Sequence, residues 1–145
     1  MMNLVVANDY ARKEDAWIIL GDVYPNFESR HPNQNDYKRK LFDKACIICA
    51  DTDGLIEGMV AFYCNDTVGK AAYISQIAVK SSARGKGLGG ALLEKCEKVS
   101  RKNGMDYLRL EVRNENKRAI RFYEYHGLRF EKKASENSIY MIKSL

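Results

Sequence analysis

No stretch of this chain approaches the roughly 18 consecutive apolar residues of a membrane-spanning helix. Its first apolar run, Leu4-Val5-Val6-Ala7, is too short for a signal peptide and lacks a basic flank. Internal repeats, low-complexity tracts and linkers are also missing. The 145 residues therefore read as a single domain, 1–145, large enough to hold one core without staples. Histidine is scarce, with two residues, and cysteine numbers four. Cys46 and Cys49 spell C-x-x-C, but no second such pair and no nearby histidine completes a zinc site. They lie in a strand-like run, where residues three apart point to opposite faces, so they read as buried structural thiols with no metal expected. A chain of this size needs no disulfides, and a cytoplasmic location is the default.

An excess of one charge is modest. Lys and Arg total 24 against 19 Asp and Glu, for a net charge of +5. The basic residues are spread along the chain, so nucleic acid and membrane partners are not expected, while a ligand carrying several phosphates suits the balance. With 46% hydrophobic and 30% charged residues, the composition argues against disorder.

What is present reads as β-α-α-β-β-β-α-β-α-β-β, an α+β or mixed α/β sheet. Leu4 to Ala7 is a first strand. Asp9 caps a helix with apolar positions Ala16, Trp17, Ile19 and Leu20, and the segment 29–35 around Pro32 is a loop before a short helix ending near Ala45. Strands Cys46–Ala50 and Leu55–Tyr63 are joined by a turn carrying Asp53-Gly54, and Ala72–Val79 follows. A strongly amphipathic helix then starts at Leu88 and buries Leu88, Ala91, Leu92, Cys96 and Val99, with Glu94, Lys95, Glu97 and Lys98 mostly off that face. Asn103-Gly104 stops it. Leu108–Val112 alternates as a half-buried strand, 116–125 is helical, and Phe130–Lys133 with Ile139–Ile142 closes the domain.

The run Arg84-Gly85-Lys86-Gly87-Leu88-Gly89-Gly90 stands at a helix start, where unpaired N–H groups and the positive dipole end hold anions. Glycines let a phosphate approach the backbone, and Arg84 and Lys86 add charge. Gly85, Gly87 and Gly90 satisfy G-x-G-x-x-G literally, and Glu111 lies where a ribose-binding acid is expected, so a dinucleotide-binding module is one reading. Against it, at least three strands joined by short turns precede the glycines. A phosphate-binding loop of the Walker type fails, because no Lys-Ser/Thr pair follows.

Ile74-Ser75-Gln76-Ile77-Ala78-Val79 followed by Arg84-Gly85-Lys86-Gly87-Leu88-Gly89 resembles motif A of the GNAT superfamily of N-acetyltransferases, with its Arg/Gln-x-x-Gly-x-Gly/Ala signature. Leu110-Glu111-Val112-Arg113 and Asn116-x-x-Ala119-Ile120-x-x-Tyr123-x-x-x-Gly127 are similar to its motif B. The likeness runs from about Leu55 to Phe130. It implies a central twisted, mostly antiparallel sheet flanked by about four helices, with a splayed parallel pair formed by Ala72–Val79 and Leu108–Val112. Acetyl-CoA would lie in the splay, its arm against Ile77, Ala78 and Val79, its pyrophosphate on amides of Arg84, Gly85, Lys86, Gly87, Leu88, Gly89 and Gly90, with Asn116 bonding the arm or capping its helix.

The resemblance further implies direct acetyl transfer to a primary amine of a small molecule, amino sugar or protein N-terminus. The Val79 amide would polarise the thioester carbonyl, Tyr123 would protonate the leaving thiolate, and Glu111 would act as base through water. For Glu111 the plainer alternatives are a solvated face of a strand, or an ion pair with Arg109 or Arg113. Tyr24, Phe27 and His31 stand where an acceptor pocket is expected, while His126 reads as a surface residue and Lys38-Arg39-Lys40 as a solvated helix face. A non-catalytic acyl-CoA-binding regulatory domain is the alternative from another class, and a homodimer is compatible with the sequence.

Overall fold

The computed structural model describes residues 1–25, 27 and 33–145. His31 and Pro32, with their loop assignments, lie outside the described residues. The element order is β1 Met2–Val6, α1 Tyr10–Val23, α2 Gln34–Lys44, β2 Cys46–Thr52, β3 Leu55–Tyr63, β4 Ala71–Val79, a 3-10 turn Ser81–Ala83, α3 Leu88–Lys102, β5 Tyr107–Arg113, α4 Lys117–Tyr125, β6 Arg129–Ser135 and β7 Ser138–Ser144. Among the described residues this is the order expected from the residue pattern, although Gln34 and Asn35, expected in the loop, already belong to α2.

Seven strands form one sheet in the order β1-β2-β3-β4-β5-β7-β6. Every neighbouring pair is antiparallel except β4–β5. Strand alternation sorts the core into two layers. On one face Val60, Phe62, Ile74, Leu108, Leu110 and Met141 pack with Leu88, Leu92, Leu93 and Cys96 of α3 and Tyr123 of α4. On the other, Ile47, Cys49, Met59 and Ala61 meet Ala16, Ile19 and Leu20 of α1 and Leu41 and Phe42 of α2. Cys46 and Cys49 fall in different layers, as the strand reading requires. All four thiols are free, and burial pushes Cys46 and Cys49 each up to about 11, which keeps them protonated and unreactive at neutral pH.

Two details depart from the residue pattern. Glu97 is buried rather than off the apolar face of α3, because Lys143 of β7 reaches it at 2.7 Å and Arg101 at 3.7 Å. Lys38 is likewise not on a freely solvated face. It pairs with Glu14 at 2.6 Å and lies over the rings of Trp17 and Phe42, clamping α1 to α2.

Leu92 is fully buried where α3 crosses the sheet. Leu92→Ala is expected to cost about 3 kcal/mol of unfolding free energy, within the range for such truncations. Urea denaturation checks this through a lower midpoint at unchanged slope.

The feature that builds the site is a bulge in β4. Ala61 pairs with Gln76, but the next residue, Phe62, pairs with Ile74, leaving Ser75 as the extra residue. Ser75 and Gln76 consequently face the same side, and the Tyr37 hydroxyl bonds both, at 2.7 and 3.0 Å. Beyond the bulge β4 stays with β3 and leaves β5. The parallel pairing ends at Ile74 and Leu110, although β4 runs on to Val79 and β5 to Arg113. A wedge opens between them.

Candidate active site

Backbone alternation decides what the wedge presents. Lys80 donates its amide back to Glu57 of β3, so the amides and carbonyls of Ile77 and Val79 turn the other way, into the gap. The Ile77 carbonyl accepts the Tyr24 hydroxyl at 2.8 Å, which anchors the end of α1 to the wedge. Ala78 lines the same cleft, with its backbone turned toward β3.

Below the wedge lies the start of α3. Gly87 occupies its N-cap position in the left-handed region, φ +78°, and Gly85 is at φ +82°. Only glycine takes these angles without strain. The first intrahelical bond runs from the Ala91 amide to Gly87, so the amides of Leu88, Gly89 and Gly90 have no intrahelical acceptor. The Arg84 amide is used in the preceding 3-10 turn, toward Ser81 at 3.3 Å, which leaves its side chain as its contribution. Gly89 and Gly90 allow α4 to come close: an added Cβ would stand 3.2 Å from the Phe122 ring at Gly89 and 2.9 Å from His126 at Gly90.

These parts wall one cleft of about 1000 Å³, a size suited to an extended cofactor rather than a small metabolite. Of the residues expected to hold acetyl-CoA, Ile77, Ala78, Val79, Arg84, Gly85, Gly87, Leu88, Gly89, Gly90 and Asn116 line it. Lys86 does not stand in its wall. Arg118, His126 and Lys143 also line it, together with Glu94 and Glu97, the latter paired with Lys143 at 2.7 Å. Asn116 caps α4, its side chain accepting the Ala119 amide at 3.2 Å.

Tyr123 enters the cleft from α4 and is 8% exposed. Burial pushes its phenol up, and the neighbouring Tyr24 hydroxyl adds to the shift. Its hydroxyl bonds to no described residue and remains protonated at physiological pH.

Glu111 is placed differently. It lies on β5 beyond the last residue paired with β4, on the sheet face opposite α4, and is not in the wall of the large cleft. Of the two plainer alternatives the solvated strand face fits, since Glu111 is exposed, and the ion pair does not hold. Arg109 bonds Glu131 at 2.7 Å and stacks over Tyr140 at 3.8 Å, and Arg113 bonds Glu115 at 3.0 Å. The Glu111 carboxylate instead accepts the Ser138 hydroxyl at 2.6 Å. Tyr73, on the same face, is pushed up to about 12 by burial first and then by the Glu111 charge and Tyr140. Glu111 and Tyr123 thus approach the wedge from opposite faces of the sheet.

Sequence reasoning missed His126, Lys143 and Ser138. His126 was expected at the surface, and is half-buried between the Phe122 and Tyr125 rings against α3. Its position just before Gly127, in a helix flanking the glycine run, was the available signal. Nothing local marks Lys143 or Ser138, which arrive through the β5–β7 register.

Comparison with known proteins agrees with this geometry. Residues 13–128 match the family model described as the acetyltransferase (GNAT) family. The chain is 30% identical over 133 residues to an uncharacterized N-acetyltransferase of Methanocaldococcus jannaschii, covering 85% of this chain and 58% of the relative. The chain spans about half the length of the curated relatives it matches, from 41% to 58%. Among solved structures, the ribosomal-protein-S18-alanine N-acetyltransferase from Escherichia coli superposes with a TM-score of 0.78 at 20% identity, over 99% of this chain and 94% of that one. The PaiA N-acetyltransferase from Thermoplasma acidophilum, in complex with coenzyme A, gives 0.79 at 18% identity, over 100% and 99%. With a family model covering most of its length, a glycine-capped helix start and one splayed parallel pair, the chain belongs to the GNAT family of acetyltransferases.

Proposed function

We propose that this protein transfers the acetyl group of acetyl-CoA to a primary amine by direct attack. The observation that carries the reading is the wedge after Ile74 and Leu110, which joins outward-turned β4 amides, a glycine-capped helix start and the hydroxyl of Tyr123 in one cleft. The bound cofactor supplies an activated thioester, so no protein nucleophile is needed.

Each group on the chain then has a task. Unpaired amides at Leu88, Gly89 and Gly90, with Arg84 and Arg118 nearby, bind pyrophosphate oxygens. The Val79 amide hydrogen-bonds the thioester carbonyl oxygen, where negative charge develops. An alkyl amine with a pKa near ~10.4 is mostly protonated at neutral pH, so it must lose a proton before it attacks. Glu111 takes that proton, through water, from the face of the sheet opposite the cofactor cleft. The new C–N bond forms, the C–S bond breaks, and Tyr123 donates its proton to the departing sulfur. Tyr24 stands beside Tyr123 and holds the Ile77 carbonyl, which places the end of α1 at the junction of cofactor and acceptor.

The test is a pair of calorimetric titrations. Acetyl-CoA is expected to bind saturably at one site per chain, and NADH is expected not to bind. Absence of heat with acetyl-CoA would sink the proposal, and saturable NADH binding would favour a dinucleotide module instead.

A further inference from the structure

The proposed base, Glu111, has a supporting structure that nothing above requires. Among polar side chains on the described residues, Ser138 is one of the few that are buried, at 5% exposure. It opens β7 opposite Arg113, so on the shared face it lies diagonally across from Glu111. Its hydroxyl is 2.6 Å from Glu111 Oε2 and 2.8 Å from Ser135 Oγ.

Proton bookkeeping gives this cluster a direction. An ionised carboxylate only accepts, and a serine hydroxyl has one proton to give. The Ser138 proton therefore goes to Glu111. Ser135 must then be the donor to Ser138, and its own oxygen accepts the Asn137 amide at 3.2 Å. A chain of donors runs from the β6–β7 turn to the carboxylate, each bond polarising the next.

The surroundings explain why a neutral donor matters. Arg109 and Arg113 flank Glu111 on its own strand and face, and both are committed to other glutamates. An arginine in the place of Ser138 would hold the carboxylate as firmly but would blunt its affinity for a proton. Ser138 fixes the side chain through one oxygen and adds no charge. Oε1 bonds to no described residue and is left for water or amine.

We propose that Ser138, aligned by Ser135 and the Asn137 amide, is the positioning residue for the Glu111 carboxylate. The inference rests on the acetyl-transfer reading and on Glu111 as its base.

Steady-state kinetics on E111Q, S138A, S138C, S138T and the E111Q/S138A double variant test it, using an amine accepted by the wild-type protein. Ser138→Ala is expected to lower kcat on the order of tenfold, short of the loss that a misplacement of about 1 Å can cause, with KM for acetyl-CoA unchanged. Ser138→Cys fills the same space with a weak donor and is expected to behave like Ala, so the test survives if Ala fails to fold. Ser138→Thr keeps the hydroxyl and is expected to restore most of kcat. In the E111Q background, Ser138→Ala is expected to cost nothing further. Additive losses, an unrestored Thr variant, or an effect confined to KM would overturn the positioning role while leaving Glu111 in place. A wild-type kcat in E111Q would remove Glu111 as the base and Ser138 with it, without touching acetyl-CoA binding.

Discussion

Replacing Gly87 with valine is expected to weaken acetyl-CoA binding by roughly 10- to 100-fold while leaving the fold intact. Gly87 sits at φ +78°, and no heavy atom lies within 4 Å of where a Cβ would be. Packing therefore does not forbid a side chain; the backbone and the ligand do. The left-handed conformation costs an L-residue about 1–2 kcal/mol, and a β-branched residue is the worst case. The strained turn relaxes by moving the amides of Leu88, Gly89 and Gly90 out of line, and the valine methyls fill the space that phosphate oxygens need. A loss of about 1.4–2.8 kcal/mol of binding energy corresponds to the stated factor. Gly21→Ala is the control. Gly21 lies within α1 with open space at its Cβ, so alanine is expected to add about 0.5–1 kcal/mol of stability and leave binding unchanged. Calorimetry with acetyl-CoA on the two variants separates a damaged anion site from a general effect of filling a glycine.

Tyr123→Phe is expected to act on the other kinetic parameter. Phenylalanine keeps the ring in contact with Phe122, whose centroid is 5.4 Å away, and removes only the hydroxyl. Because that hydroxyl has no described partner to leave unsatisfied, the stability cost is expected to be small. The loss of a general acid lowers rates by about 10²–10⁴-fold. A fall in kcat of about 100-fold, with KM for acetyl-CoA nearly constant, is the expected result. The pH profile adds a sign. Burial raises the Tyr123 phenol above its ordinary value of 10.0, so the proton-loaded form persists through neutral pH and no alkaline loss of kcat below about pH 10 comes from this residue. An unchanged kcat in the variant would remove Tyr123 from the chemistry.

Much of this was legible in the residue order because it depends on local periodicity. The glycine run, the helix α3 and the Asn116-to-Gly127 spacing each lie within one element or one turn, and the structure puts each on the element expected, with Glu97 on the buried side of α3 and Lys86 outside the cleft wall as exceptions. What stayed hidden depends on registers between distant strands. The bulge at Ser75 has no residue signature, yet it turns β4 away from β5 and makes Ser75 and Gln76 share Tyr37. Glu97 looked like a surface residue of α3 because its partner Lys143 comes from the last strand. The residue order puts arginines beside Glu111, whereas its partner is a serine that β7 supplies from 27 residues away. Tyr24 was legible only as a residue near the acceptor, and its bond to the Ile77 carbonyl ties that region to the wedge itself.

In the proposed reaction the wedge brings a thioester and an amine together. That reaction is tested most directly by following free thiol released from acetyl-CoA across a panel of primary amines, with mass spectrometry of the amine products. The expected result is thiol release that depends on the amine and matches acetylated amine one for one. Saturable acetyl-CoA binding accompanied only by slow, amine-independent thiol release would contradict it and leave an acyl-CoA-binding domain without transferase activity.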